Sequence, residues 1–296
     1  MGRLSQWPGV LLMLTAIFWA GNTVAGRLAV GHVSPMTLVI LRWTVVLAVL
    51  WPIYGGQVRA HWSEVRPRLG RIALMAFLGY TGFNVLYYWA AHTTTAINIG
   101  ILQGSIPVAV LMGAFFMHGT RARLVQIAGV LITSVGVVVV ATQGAPLSIL
   151  EIDLNRGDLA MLAACVLYAF YTVALRDRPN MPGAAFFTLL ALIAALTSIP
   201  PLVIEGMMLG FALPTWQGWL VILYVAVFPS CLAQLCYLRG VDLIGPGRAG
   251  VYVNLVPVFS AIMAVLLIDE KFALYHGVAL ALVLGGIWLA QRTAGR

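Results

Sequence analysis

Residues 96–117 read AINIGILQGSIPVAVLMGAFFM, an apolar stretch interrupted by Gly100 and Pro107. A related stretch, PGRAGVYVNLVPVFSAIMAVLL, occupies residues 246–267. Identical residues recur at an offset of 150 positions: Gly100 and Gly250, Pro107 and Pro257, Val108 and Val258, and Tyr87 and Tyr237. Because similarity at a fixed offset is the sequence signature of a repeated structural unit, this comparison predicts that the chain is a duplication.

The beginning of each half extends the match. The segment WAGNTVAGR at 19–27 aligns with YAFYTVALR at 168–176, with Ala, Thr, Val, Ala and Arg in common. The repeat unit is therefore about half of the chain. We predict a first repeat over residues 1–142, a connecting loop over 143–157 and a second repeat over 158–296.

The composition is that of a membrane protein. Hydrophobic residues make up 61% of the chain, charged residues only 9%, and the mean hydropathy is +0.97, whereas soluble domains carry about 25% charged residues. A membrane helix needs about 20 apolar residues. Ten segments meet this requirement and predict an all-α integral membrane protein: 7–26, 34–54, 70–91, 96–117, 121–142, 158–175, 182–204, 217–238, 244–268 and 272–291.

The net charge of +8 follows from membrane topology rather than from a nucleic-acid partner. With ten helices, thirteen of the seventeen Lys and Arg residues fall on the side of the N-terminus, three on the other side (Arg27, Arg156 and Lys271), and Arg42 falls within a helix. Positive residues favour the cytoplasmic side. We therefore predict a multi-pass protein of the cell inner membrane with both termini cytoplasmic. Five helices per repeat is an odd number, so the second repeat is inverted relative to the first.

Arg42 is the one ionisable residue predicted deep within a helix. It lies about eight residues, or about 12 Å, from the start of the predicted segment at Ser34, at 1.5 Å per residue. An intramembrane charge is a functional-site hypothesis, and the alternative is a structural arginine bonded to backbone carbonyls. The second repeat has Leu189 at the matching position, so Arg42 breaks the symmetry of the repeats.

Aromatic and amide side chains recur at helical spacing in both repeats. Interhelical hydrogen bonding and interfacial aromatic belts explain such residues singly, but equivalent polar faces in two repeats favour a shared central cavity. The predicted substrate-binding residues are Arg42 together with Trp19, Asn22, Tyr80, Asn84, Tyr87, Tyr88, Gln103, Tyr168, Tyr171, Gln234, Tyr252 and Asn254.

Enzymatic and cofactor sites are not indicated. Gly245–Gly250 spells G-x-G-x-x-G but precedes an apolar helix instead of following a strand. The histidines lack metal-ligand spacing, and all nine acids fall in loops or at helix ends. We therefore predict no catalytic residue, no metal and no cofactor. The missing intramembrane carboxylate also disfavours exchange of cations for protons.

Two five-helix repeats with these motifs resemble the drug/metabolite transporter superfamily, specifically its EamA-type ten-helix members, and within these the YddG-type aromatic amino-acid exporters. The resemblance is carried by Trp19-Ala20 and Tyr168-Ala169, Ser34-Pro35 with Arg42, Pro107, Pro257 and the segment Glu270–Gly286. It implies export of small metabolites through a cavity between the halves.

The predicted function is a secondary transporter or facilitator that works by alternating access. Its expected substrates are small neutral or zwitterionic metabolites, in particular aromatic and other large neutral amino acids. Two alternatives remain open at this point: a multidrug or cation exporter, and a membrane scaffold that transports nothing.

Overall fold

A computed structural model describes residues 7–119, 123–145 and 155–291. Within these residues the regular secondary structure is entirely helical. Nine segments are long and apolar enough to cross a membrane, and a tenth is slightly shorter. We number them α1 Pro8–Leu28, α2 Pro35–Ala60, α3 Trp62–Ala90, α4 Ala96–Met117, α5 Leu124–Ala141, α6 Arg156–Asp177, α7 Gly183–Leu209, α8 Trp216–Ile244, α9 Arg248–Ile268 and α10 Leu274–Ala290. The predicted fold class is confirmed.

One predicted loop is wrong. The predicted segments 34–54 and 70–91 leave a loop between them, but α2 continues to Ala60 and the short helix Trp62–Val65 forms the start of α3. The physical reason is burial: Val58 is 2% exposed and Val65 is fully buried. These apolar side chains hold the segment against the protein core, where helical backbone satisfies its own hydrogen bonds.

Helices α4 and α9 are broken at equivalent places. In α4, Ala96–Gln103 is followed by Ile106–His118, and in α9, Pro246–Val253 is followed by Val256–Ile268. Pro107 and Pro257 each stand in the first turn of the second part. Proline has no N–H to donate and its ring clashes with the preceding turn, so each helix must stop just before its proline and begin again.

Helices α3 and α8 each contain a π-helical turn, again at equivalent places, at Phe77–Gly82 and Ala226–Leu232. In α8 the Ser230 hydroxyl donates to the carbonyl of Val225, five residues earlier, at 2.5 Å. In α3 the absence of a side chain on Gly79 is required, because a Cβ there would lie 2.3 Å from Cγ of Tyr171. Turns of this kind interrupt helices mainly at functional sites.

The contacts between loops show that the two repeats are inverted. At one end of the molecule, Arg27 at the end of α1 lies 3.8 Å from Glu270, just before α10. At the opposite end, Arg71 lies 3.5 Å from Asp177, which follows Arg176, the repeat counterpart of Arg27. We call these the Glu270 end and the Arg71 end. The second repeat begins at Arg156, and residues 146–154 of the predicted connecting loop lie outside the described residues.

The cytoplasmic location of the Arg71 end can be tested by labelling. In a version without Cys165, Cys231 and Cys236, an exposed cysteine placed by Ser63→Cys should react only from the cytoplasm. An exposed cysteine placed by Ala212→Cys, between α7 and α8, should react only from outside. The charge asymmetry of the loops is the reason for this orientation. The opposite labelling pattern would contradict it.

Candidate substrate cavity

A cavity of about 150 Å³ lies between the two repeats, and every helix except α5 contributes to its lining. Most of the predicted site residues line it: Trp19, Asn22, Arg42, Tyr80, Asn84, Gln103, Tyr168, Gln234 and Asn254. Sequence reasoning missed Trp43, Phe83 and Phe187, which also line it, because an apolar ring in an apolar helix carries no signal of the direction in which it faces.

Four predicted residues are not brought to the cavity wall. Tyr88 and Tyr171 lie directly behind it and bond to residues that line it, while Tyr87 is 1% exposed and packs against Phe83 and Tyr88. Tyr252 instead borders a separate groove at the start of α1, where its hydroxyl approaches Gly9. Neighbouring Asn254 lines the cavity, and two residues apart on a helix means nearly opposite faces.

Arg42 connects the two repeats inside the membrane. It is 7% exposed. Its Nε donates to Ser230 Oγ at 2.6 Å, and its Nη1 donates to Asn84 Oδ1 and to the Tyr88 hydroxyl, each at 2.6 Å. Its guanidinium carbon lies 5.0 Å from the centre of the Trp43 ring. The two π-helical turns position these partners, because Ser230 lies within one and Asn84 follows the other.

Hydrogen bonds from neutral groups stabilise the charge of Arg42, but no opposite charge neutralises it. Among the described residues no carboxylate forms an ion pair with it, and its hydrogen-bond acceptors Ser230, Asn84 and Tyr88 are all neutral. A buried charge without a counterion is unfavourable in a medium of low dielectric constant. A carboxylate brought by a ligand would supply that counterion at Nη2, the guanidinium nitrogen that takes no part in these three hydrogen bonds.

Aromatic rings form much of the remaining wall. Trp43 packs edge-on to Tyr80 at 4.9 Å between ring centres, and Phe83 lies 5.1 Å from Tyr168. The Tyr80 and Tyr171 hydroxyls are bonded at 2.9 Å, which joins the two repeats again. Trp19 donates from Nε1 to the carbonyl of Pro229 at 3.1 Å. An apolar cavity of about 150 Å³ accommodates benzene, so a single aromatic ring fits this space.

At the Glu270 end, carboxylates of the second repeat bind the first repeat. Glu270 accepts hydrogen bonds from the backbone nitrogens of Ala96 and Ile97 at 2.8 and 3.0 Å, at the start of α4. Acidic groups are favourable there because helix N-termini carry partial positive charge. Glu205 accepts from the hydroxyl of Ser34 in the same region. At the Arg71 end, the ion pair of Arg71 and Asp177 is largely exposed and contributes little.

Asp158 adds a third contact at this end. It was expected at a helix end, and it does lie in the first turn of α6, but it is only 2% exposed. Its carboxylate accepts from the hydroxyl of Thr94 and from the Asn98 amide at 3.3 Å. Nearby, burial and the charge of Arg27 lower the pKa of His92. His92 is therefore neutral at pH 7 and adds no charge to this closure.

Two inverted five-helix repeats that enclose a polar and aromatic cavity define a membrane transporter of the ten-helix type. Comparison with known protein families identifies the family of this transporter. The EamA-like transporter family matches residues 6–142 and 155–291, one match for each repeat, and the chain belongs to that family.

Several relatives cover nearly the whole chain. The aromatic amino acid exporter YddG of Ancylobacter novellus is 24% identical over 99% of this chain and 100% of its own length. A probable terminal-alkyne amino-acid exporter of Streptantibioticus cattleyicolor is 26% identical, over 96% and 94% respectively. The uncharacterized transporter YetK of Bacillus subtilis is 23% identical, over 90% and 82%. A solved crystal structure with a TM-score of 0.64 and 20% identity covers 98% of both chains and shares the fold.

Proposed function

We propose that this protein is a facilitator of the inner membrane that exports small organic solutes with a carboxylate and an apolar or aromatic body, aromatic amino acids in particular. One observation carries the proposal: an arginine with only neutral partners lies in the wall of an aromatic cavity between the two repeats. The rings provide stacking surfaces, and the guanidinium provides a counterion for the carboxylate. Relatives named as amino-acid exporters support the same substrate class.

The cavity disfavours the two alternative functions. A lipophilic cation would meet the charge of Arg42 in a medium where like charges repel strongly, and no acid lines the described part of the cavity to balance it. A scaffold has no need for a charged group inside the membrane. A charge there lowers stability, and it is found mainly where function requires it.

We infer alternating access from the different contacts between the two repeats at the two ends. Carboxylates of the second repeat hold the first repeat at the Glu270 end, through Glu270, Glu205 and Asp158. At the Arg71 end, the ion pair of Arg71 and Asp177 is largely exposed. The solute then enters the cavity from the cytoplasm and leaves it after the Glu270 end opens. The breaks before Pro107 and Pro257 allow the halves of α4 and α9 to move separately.

Counterflow in proteoliposomes tests the proposal. Vesicles loaded with unlabelled phenylalanine or tryptophan should take up the labelled amino acid faster than vesicles without protein. Quaternary cations such as tetraphenylphosphonium should neither exchange nor compete. Robust exchange of the cation with no amino-acid signal would contradict the proposal and favour a multidrug exporter.

Tyr168→Ala should slow this exchange by about fivefold, because aromatic packing is worth about 1 kcal/mol beyond burial. The Tyr168 ring lines the cavity and packs 5.1 Å from Phe83. Phe170 provides a matched control: it lies on the same helix but is 42% exposed on the outer surface. Phe170→Ala should therefore leave the initial exchange rate unchanged. Equal rates for the two variants would mean that the Tyr168 ring does not contact substrate.

A further inference from the structure

The charge balance of the cavity is asymmetric. Among its described lining residues Arg42 is the one with an ionised side chain at pH 7, and none is acidic. A zwitterionic solute would find a partner for its carboxylate but no anion for its ammonium group. With a zwitterion bound, the ligand carboxylate pairs with Arg42 but the ligand ammonium group has no counterion. The site and its ligand together therefore keep a net positive charge.

The hydrogen-bond acceptors next to Arg42 are also engaged. Asn84 Oδ1 accepts from Arg42, and Asn22 Oδ1 accepts from the Tyr88 hydroxyl at 2.9 Å. Ser230 Oγ accepts from Arg42 while it donates to the backbone. The α-ammonium group of an amino acid lies beside its carboxylate and needs three acceptors, so next to Arg42 it would have to displace one of these bonds.

The lining also contains buried hydrogen-bond donors. Trp43 Nε1 and Gln103 Nε2 are buried and have no hydrogen-bond partner among the described residues, and both side chains belong to the cavity lining. An unmade hydrogen bond of a buried donor is unfavourable. An acceptor-rich group bound beside Arg42 would relieve both the unbalanced charge and the unused donors.

We infer that the site recognises the carboxylate and not the ammonium group, so that its preferred ligands are monoanionic aromatic carboxylates, such as N-acylated amino acids and arylalkanoates. This inference rests on the proposed function, since it refines which carboxylates enter the same cavity. Removing the ammonium group removes its desolvation cost and leaves the contacts with the rings and with Arg42 in place. We expect a monoanion to bind about tenfold more tightly than the matching zwitterion, the factor for one unsatisfied buried polar group.

Equilibrium binding to the purified full-length protein in detergent tests this, because a detergent solution avoids passive leakage of weak acids through lipid. Isothermal titration calorimetry at pH 7.5 compares four compounds with one phenyl ring: phenylalanine, N-acetylphenylalanine, 3-phenylpropanoate and 2-phenylethylamine. The two monoanions should bind about tenfold more tightly than phenylalanine. The amine, which lacks the carboxylate, should show no binding.

A variant separates charge recognition from shape. In Arg42→Met the preference for 3-phenylpropanoate over 2-phenylethylamine should disappear, whereas Arg42→Lys should keep the order with weaker affinity. Phenylalanine binding as tightly as the monoanions, or more tightly, would overturn the inference and leave the proposed function standing. No binding by any of the four compounds would overturn both. Retention of the full preference in Arg42→Met would also overturn the inference.

Discussion

Arg42→Leu is expected to abolish exchange of aromatic amino acids, with a loss of at least about 100-fold, because removing one partner of a buried charge pair costs several kcal/mol. Arg42 donates to Ser230, Asn84 and Tyr88 through Nε and Nη1, so the wild-type guanidinium is held in one orientation. The initial rate of counterflow, normalised to folded protein recovered by size-exclusion chromatography, is the measurement.

Arg42→Lys is the matched control because it keeps the charge. It should rescue exchange only in part, because an ammonium group has three donors and Arg42 already uses three for Ser230, Asn84 and Tyr88, which leaves lysine none for the substrate carboxylate. Leu also leaves the neutral partners of Arg42 unpaired, so folding is measured separately. Loss of folded protein in Arg42→Leu together with full activity in Arg42→Lys would show instead that the arginine is structural.

The second large effect is a loss of stability, and we expect it at the contact between α5 and α10. A Cβ at Gly286 would lie 2.3 Å from Thr133 Oγ1 and 2.6 Å from the carbonyl of Gly129. Small residues allow membrane helices to approach this closely, and a methyl group would force them apart. Gly286→Ala should destabilise the protein by about 1–3 kcal/mol, the usual cost of overpacking, and Gly286→Leu should prevent recovery of folded protein.

Gly285 is the control for this prediction. It is exposed, and a Cβ at this position meets no described atom within 4 Å. Gly285→Ala should therefore leave the melting temperature unchanged or raise it slightly, because alanine is the better helix former. Thermal unfolding in detergent, followed by size-exclusion chromatography of heated samples, compares the two variants. Equal melting temperatures would show that the Gly286 contact does not hold the two helices together.

The architecture was predictable because it depends on local and statistical features. Apolar runs identify membrane helices wherever they pack, and the recurrence of Pro107 at Pro257 reveals the duplication. Both repeats match the same family. The end of α2 was not predictable in this way, because the burial of Val58 and Val65 against other helices extends the helical segment.

The site was predictable in part. Helical spacing identifies a polar face such as that of Tyr80 and Asn84, and both residues line the cavity. Spacing does not say how the helix is rotated against its neighbours, and so Tyr252 was assigned to the cavity although it borders another groove. The position of Tyr88 behind Arg42 likewise depends on the packing of α3 against α2.

The order of the hydrophobic segments, the two-fold repetition and the presence of one intramembrane arginine can all be read along the chain, because each depends on local runs of residues or on the comparison of two such runs. The partners of Arg42 cannot. They are 42, 46 and 188 residues away in sequence, and two π-helical turns without a sequence signal set their positions. Electrostatic energies depend on distances between atoms and on burial, and these exist only after the helices have packed.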